Sequence, residues 1–415
     1  MKAVVFTLGC KVNDCESEAL IAGLNARGYE VSDKLEKADL YIVNTCAVTA
    51  EAEKKSRQTA SRIKRLNPCA KIIFTGCAAE KNPESFLSKS DKYLVTGVFG
   101  KNRILDMVDE CGEKVFPHDA VYEELPPVKS LKTRAFVKVQ DGCDNFCSYC
   151  IIPYLRGRSR SRDPEKIKEE ILAANALEAV VTGIDLSDYN YNGLTLDGLI
   201  TRLKTLETRI RLGSLEARVI TEKFLEACKS LNDFAPHFHL SLQSGSDAVL
   251  KKMNRHYTAA EFIEKTRLIK EYFPHAGVTT DVIAGFPTET DGDFIETLRV
   301  IDAVGFTDIH PFIYSPRSGT VAYKMKDLPY GIKKARLDKL LEKKERLKKA
   351  FVARETGRVL SFLPEEEKDG FAVGYSENYL RLYVKNCAGK GLIKVRVTGA
   401  YKDGAVAVHV ENENN

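Results

Sequence analysis

The sequence has no apolar run approaching the roughly 20 residues that a membrane-spanning helix needs. Its N-terminus, Met1-Lys2-Ala3-Val4-Val5-Phe6, enters a strand-like stretch with no signal peptide ahead of it. Internal repeats and low-complexity tracts are missing, and so is any convincing Ser-His-Asp set or catalytic carboxylate pair. These absences argue against a membrane protein, a secreted disulfide scaffold and hydrolytic acid–base chemistry. The expected location is cytoplasmic, where thiols stay reduced. What remains is a 415-residue chain, 44% hydrophobic and 29% charged, enough for two or three globular domains with proper cores.

Against that background, eleven cysteines is a high count. A single cysteine is usually a small buried hydrophobe. With structural disulfides disfavoured, spacing decides which cysteines bind metal. Cys143-Asp-Asn-Phe-Cys147-Ser-Tyr-Cys150 has the spacing C-x3-C-x2-C. Three thiolates this close on a loop after a strand can hold three irons of a cubane cluster. No fourth ligand follows at short spacing, so one iron stays open to a substrate, whereas a zinc knuckle would be closed by a fourth Cys or His.

The chain around this loop divides into regions. Over residues 1–110, strands expected at Lys2–Thr7, Leu40–Asn44, Lys71–Thr75 and Tyr93–Val98 alternate with helices such as Cys15–Arg27 and Ala50–Leu66. This alternation is the pattern of an α/β doubly wound parallel sheet. Residues 111–133, with Pro117, Pro126 and Pro127, read as a linker. From Arg134 to about Ser315, six more strand candidates and their helices predict a partial (β/α)6 barrel. A trailing basic helix completes this core, which ends near residue 356. Residues 357–415 contain five short strand candidates, the pattern of a small OB-like β-barrel, with eight basic and eight acidic residues.

Cys10, Cys46 and Cys77 each lie two or three residues past the end of an expected parallel strand. The carboxyl ends of a doubly wound sheet lie along one edge, where ligand crevices form. The three cysteines should therefore meet as ligands of a second cluster. Cys15, Cys69, Cys111, Cys228 and Cys387 have no such partners and read as structural.

The C-x3-C-x2-C loop, with Tyr149 before its last cysteine, resembles that of the radical S-adenosylmethionine superfamily. With the N-terminal cysteine set and the C-terminal small barrel, the whole chain resembles the methylthiotransferases, with an N-terminal methylthiotransferase domain, a radical core and a TRAM domain. Leu8-Gly9-Cys10-Lys11-Val12-Asn13 is similar to the branch acting on N6-threonylcarbamoyladenosine at position 37 of tRNA. The resemblance implies two 4Fe-4S clusters, one on Cys143, Cys147 and Cys150 and an auxiliary one on Cys10, Cys46 and Cys77. It also implies S-adenosyl-L-methionine, two molecules per turnover: one methylates a sulfur at the auxiliary cluster, and the other supplies the radical that activates carbon 2 of the adenine. Segments at the expected strand ends match the family core, and nominate Tyr149, Ser214, Glu216, Gln243 and Asp281 as cofactor contacts. Gly213 departs from the usual pair of serines in one of them. The implied partners are the tRNA anticodon stem-loop and a reductant such as flavodoxin or ferredoxin.

Two basic clusters fit a polyanionic partner. Arg156, Arg158, Arg160 and Arg162 fall within seven residues, and the window 332–355 holds ten Lys or Arg against four Asp or Glu. Arg156, Arg158, Arg160 and Arg162 are therefore expected to hold phosphates, with Lys343, Lys344, Lys348 and Lys349 on the basic helix. That helix reads equally well as a solvated charged face. The alternative functions are methylthiolation of isopentenyladenosine tRNA or of a ribosomal protein, or a non-catalytic role as an iron–sulfur carrier or RNA-binding module.

Overall fold

The computed structural model describes residues 1–90, 92–126, 133–385 and 391–410. Six parallel strands form the N-terminal sheet: β1 Lys2–Thr7, β2 Glu30–Ser32, β3 Leu40–Thr45, β4 Lys71–Gly76, β5 Leu94–Thr96 and β6 Gly112–Lys114, in the order β2-β1-β3-β4-β5-β6. Every residue of β3 is buried, because helices cover both faces of the sheet. Alternate strand residues feed two cores. Tyr41, Val43 and Phe74 meet Ala60 and Ile63 of α2 (Ala50–Leu66). Ile42 and Ile73 meet Leu20 and Leu24 of α1 (Lys11–Ala26). The short helices α3 (Cys77–Lys81) and α4 (Glu84–Leu87) follow β4.

The sheet runs further than the strand pattern suggested, since β6 lies within the segment read as a linker. Other parts of that segment are also tied down. Glu123 accepts from the Gly100 and Asn102 amides, and the Tyr122 hydroxyl donates to the Lys138 carbonyl. Pro127 lies outside the described residues.

The central barrel is open and made of two four-stranded sheets. The first, in the order β12-β9-β7-β8, contains β7 (Arg134–Asp141), β8 (Arg160–Ser161), β9 (Glu178–Gly183) and β12 (Arg209–Leu212). A hairpin of β10 (Asn190–Tyr191) and β11 (Leu194–Thr195) leads into α7 (Leu196–Leu203). The second sheet is β13 (Ser214–Leu215), β14 (His237–Leu240), β15 (Gly277–Ala284) and β16 (Asp308–Ile313). The other helices are α5 (Ile152–Arg156), α6 (Pro164–Ala174), α8 (Glu222–Lys229), α9 (Asp247–Lys252), α10 (Ala259–Tyr272) and α11 (Asp291–Val304). Capping boxes at Thr258/Glu261 and Thr290/Asp293 fix the starts of α10 and α11.

Side chains alternate across these strands. Ala135, Val137, Val139, Ala179, Val181, Ile210, Leu212, Phe238 and Leu240 join the outer core with the helices. Their neighbours turn inward, so Arg134, Lys138, Gln140, Glu178, Arg211, His237, His239, Asp281 and His310 line a polar interior.

The long helix α12 (Tyr330–Glu355) leads to a closed five-stranded barrel of β17 (Val359–Lys368), β18 (Phe371–Ser376), β19 (Arg381–Lys385), β20 (Ile393–Tyr401) and β21 (Gly404–His409), in the order β17-β18-β19-β21-β20. Phe351 and Val352 of α12 enter its core. This barrel docks against the strand starts of the central one: Arg211 donates to the Ser376 carbonyl and Asn378 to the His275 carbonyl.

Candidate active site

The auxiliary cysteines come together where the sheet register places them. Thr7 pairs with Asn44 and Thr45 with Gly76, so the chain leaves β1, β3 and β4 at one level. Cys10 is the N-cap of α1 and Cys77 opens α3, which aims the positive ends of two helices at the thiols. Gly9 has φ +118°, and a side-chain carbon there would sit 3.0 Å from Cys46 Sγ. Only glycine allows that approach. Asn13 Nδ2 ties the two loops by donating to the carbonyls of Leu8 (2.8 Å) and Thr45 (3.1 Å). Ser56 holds the second of these loops, donating to the Cys46 carbonyl while accepting from the Cys46 amide. Burial pushes the Cys46 thiol up to about 11, and the nearby Cys77 and Cys10 thiols act in the same direction.

The second cysteine loop follows β7. Gly142, at φ +75°, crosses so close to the Arg158 carbonyl that a side chain would collide with it. Cys143 then donates its amide to the Gly157 carbonyl, and Cys150 to the Cys147 carbonyl. Ser148 pins the loop's middle to the end of α9 through Met253 and Lys252. Asn254 adds bonds to the Asn145 and Phe146 carbonyls. Arg255 donates to Cys147 Sγ (3.4 Å), pairs with Glu216 (2.7 Å) and reaches the Ser241 carbonyl. Asn145 Nδ2 donates to Asp185 (2.7 Å) and Glu216 (3.1 Å). Burial, with Glu216 beside it, pushes Asp185 up to about 6, and burial raises Cys150 to about 12.

All ten described cysteines are free thiols. Among the described residues, no three Cys, His, Asp or Glu side chains converge as they would around one metal ion. Each cysteine set instead offers soft sulfur donors spread over a loop or a sheet end, which suits a cluster of several irons.

The expected cofactor contacts surround the second loop. Tyr149 packs edge-on against Phe286 at 6.5 Å, and Ser214 is exposed. Glu216 gathers Asn145, Arg218 and Arg255. Gln243 adopts φ +65° while bonding through its backbone to Asp281 and Ile283. The Asp281 side chain lies 3.3 Å from His239 Nε2.

A buried ionic junction joins the two loops. Arg156, 0% exposed, bonds Asp141 (3.0 and 3.1 Å), Glu16 (3.0 Å) and Asn13 (2.9 Å). Lys101 and Lys138 also pair with Glu16, at 3.1 and 3.2 Å. Burial alone would raise Glu16 and Asp141, but Arg156 and its fellow cations hold both well below the usual carboxylate range. Arg156 lies within electrostatic reach of Cys10 and Cys77, and Cys77 within that of Cys150.

This junction corrects the reading of the arginine run as a phosphate-binding surface. Arg156, Arg160 and Arg162 are all buried. Arg160 donates to the carbonyls of Arg156 and Arg158, and Arg162 pairs with Glu124 and Glu170. Only Arg158 stays exposed, stacked on Phe146. On α12, Lys343 pairs with Asp302 and Lys344 with Asp308, while Lys348 lies 4.0 Å from Asp308. Lys349 is the exposed member of that set.

Cys15 bonds the Phe136 carbonyl on β7, Cys228 is buried on α8, and Cys69 and Cys111 are exposed. Cys387 lies outside the described residues. Spacing gave no signal for Arg255, Asn145, Asp185 or Glu16. Asn13 stood in the Cys-Lys-Val-Asn segment, but its bracing role needed the sheet.

Residues 2–100 match the family described as Uncharacterized protein family UPF0004, and residues 137–301 match the Radical SAM superfamily. The threonylcarbamoyladenosine tRNA methylthiotransferase MtaB of Bacillus subtilis is 37% identical, across 100% of this chain and 98% of its own. That of Chlamydia pneumoniae is 38% identical, across 96% of both chains. A tRNA-2-methylthio-N(6)-dimethylallyladenosine synthase of Geobacillus kaustophilus is 34% identical, across 96% of this chain and 80% of its own. Among solved structures, the radical S-adenosylmethionine methyltransferase TsrM of Kitasatospora setae has a similar fold, with TM-score 0.55 and 15% identity over 75% of this chain and 74% of that one.

Proposed function

Because the chain belongs to the threonylcarbamoyladenosine tRNA methylthiotransferase family, with a radical S-adenosylmethionine core, we propose that it places a methylthio group on carbon 2 of N6-threonylcarbamoyladenosine 37 in tRNA. The superfamily brings a 4Fe-4S cluster and S-adenosyl-L-methionine. A second cluster on Cys10, Cys46 and Cys77, two S-adenosyl-L-methionine molecules per turnover and electrons from a flavodoxin or ferredoxin complete the reading. When bound, these groups supply the one-electron chemistry that exchanges a C–H bond for a C–S bond.

The observation that carries this reading is the approach of the two cysteine sets: Cys77 packs in one apolar cluster with Ile151, the residue after Cys150, and with Leu155. A sulfur source and a hydrogen-abstracting centre must act on one carbon atom, so proximity is the first requirement. Cys143, Cys147 and Cys150 hold the radical cluster in this proposal. Tyr149, Ser214, Glu216, Gln243 and Asp281 line the cofactor's space. Arg255 donates to the Cys147 sulfur and fixes Glu216. Arg156 brings a buried positive charge to the auxiliary thiols. An unstacked anticodon-loop base enters the barrel mouth between the two sets. Among the described residues, no helix is long and apolar enough to cross a membrane.

The test is nucleoside profiling of tRNA from a strain lacking the gene, beside tRNA treated with reconstituted enzyme. Loss of 2-methylthio-N6-threonylcarbamoyladenosine and its return on treatment support the proposal. Loss of the dimethylallyl-type product instead would move the chain to the other branch.

A further inference from the structure

The radical cysteine loop receives a cation from outside its own segment. Arg255 Nη1 donates to Cys147 Sγ at 3.4 Å, from 108 residues further along the chain. Among the described residues, it is the one side chain that donates to a sulfur of Cys143, Cys147 or Cys150. On the other flank of the loop the sign is reversed, with Asp185 Oδ2 3.9 Å from Cys143 Sγ.

Every nitrogen of the Arg255 guanidinium is engaged. Nη1 also pairs with Glu216 (2.7 Å), Nη2 donates to the Ser241 carbonyl (3.1 Å), and Nε to the Tyr257 hydroxyl (3.3 Å). The three residues before it clamp the loop. Asn254 Nδ2 donates to the carbonyls of Asn145 (2.9 Å) and Phe146 (3.2 Å). The Ser148 amide donates to the Met253 carbonyl (2.9 Å), and its hydroxyl to the Lys252 carbonyl (2.7 Å). Backbone anchors thus fix the guanidinium against the sulfur. The Arg255 side chain is 6% exposed and Cys147 8%, so water screens their bond little. The other charges nearby are mostly negative. Arg218 is shared among Glu216 (2.9 Å), Asp185 (3.4 Å) and Asp188 (3.4 Å), and on the loop itself Asp144 pairs with the exposed Arg158 (3.3 Å).

A cluster that takes one electron from a reductant gains one unit of negative charge, with no bond made or broken. Hydrogen bonds to its sulfurs and cations beside them favour that reduced form, whereas carboxylates oppose it. Resting on the function proposed above, we propose that Arg255 raises the reduction potential of the cluster on Cys143, Cys147 and Cys150, so that a one-electron carrier can load it, and that Glu216 and Asp185 limit the rise. Arg255 is on this view a tuning residue, acting through the Cys147 sulfur.

The test is a redox titration of the reconstituted full-length protein, followed by electron paramagnetic resonance. The signal to read is the one that changes on adding S-adenosyl-L-methionine, which marks the cluster with the open iron; iron content checks the loading of each variant. Arg255→Met should leave about tenfold less reduced cluster at a given potential, the usual weight of a charge-assisted hydrogen bond, or a midpoint lower by about 59 mV. Arg255→Lys, which keeps the charge, should regain part of that shift. Glu216→Gln breaks the same ion pair but removes a negative charge, so its midpoint should rise. A purely structural role for the pair would move Arg255→Met and Glu216→Gln in the same direction, and that result overturns the inference, as does an unchanged midpoint in Arg255→Met. Should Arg255→Met fail to take up iron, Glu216→Gln decides alone: a midpoint at or below that of wild type overturns the inference. If the wild type still methylthiolates tRNA in those cases, the proposed function survives. If no signal responds to S-adenosyl-L-methionine, that function fails and this inference fails with it.

Discussion

Replacing Arg156 with Met tests whether the buried junction holds the two cysteine loops together. Arg156 is fully buried and bonds two carboxylates, Glu16 and Asp141. Removing one member of a buried pair usually costs about 3–5 kcal/mol, because a charge is left unpaired in low dielectric. Here the carboxylates are not stranded. Glu16 keeps Lys101 and Lys138, and Asp141 keeps Lys138 and Arg160 at 3.6 Å. The loss should therefore fall at the lower end, about 3 kcal/mol. At roughly 2 °C per kcal/mol for a large chain, the apo protein should melt about 6 °C lower by circular dichroism. The double variant Arg156→Met, Glu16→Gln should recover part of this, since one buried charge leaves with its partner. Limited proteolysis should cut residues 111–133 faster in the single variant. A melting point within about 1 °C of wild type, or strictly additive effects in the double variant, would refute the claim that these charges form one unit.

Three further outcomes can be checked. Glu16 and Asp141 have folded-state pKa values below their unfolded ones. Their stabilisation is therefore present above about pH 4 and disappears as pH falls below it; acid titration followed by circular dichroism should show unfolding beginning there, and Asp141→Asn should soften that dependence. Gly9→Ala drives a methyl group against Cys46, so anaerobic reconstitution should yield about four irons in place of about eight; cleavage of S-adenosylmethionine should persist while methylthio product disappears, and full iron loading would remove the case for an auxiliary site there. On α12, Lys349→Glu should weaken tRNA binding and flatten the log–log salt dependence by about 0.7 for each phosphate no longer held; the paired Lys343 should matter less, and equal effects from both would mean that the ion pair with Asp302 is irrelevant to RNA binding.

Much of the architecture was legible because buried parallel strands are written as short β-branched runs. Ala50–Leu66, Ala259–Tyr272 and Asp291–Val304 stand where helical periodicity put them. The placing of Cys10, Cys46 and Cys77 along one edge of the sheet followed from topology, since equivalent positions past parallel strands share an edge. The arginine run shows the limit of local reading. Four arginines in seven residues look like a surface patch, and what makes Arg156 internal is Glu16, 140 residues away in the chain. Three-residue β6 carried too few side chains to register as a strand. The partners of Cys147 and Glu216 on Arg255 were equally invisible, because no spacing rule links a loop to the turn after a distant helix.

The core shared by α3 and α5 bears on what can vary in this molecule. Cys77, Ala78 and Ala79 belong to one apolar cluster with Ile151, the residue after Cys150, and Leu155 of α5. The gap between the cysteine sets is thus a property of side-chain packing, independent of how long the connecting chain is. Insertions in residues 115–126 should be tolerated as long as Tyr122, Glu123 and Glu124 keep their bonds. A conservative change such as Leu155→Val, in contrast, moves the two sets relative to each other. For the same reason the N-terminal sheet is a poor candidate for separate expression: freed from the barrel, it would turn Glu16 and the apolar side of α3 out to water, and gene fusions or splits placed there should give insoluble product.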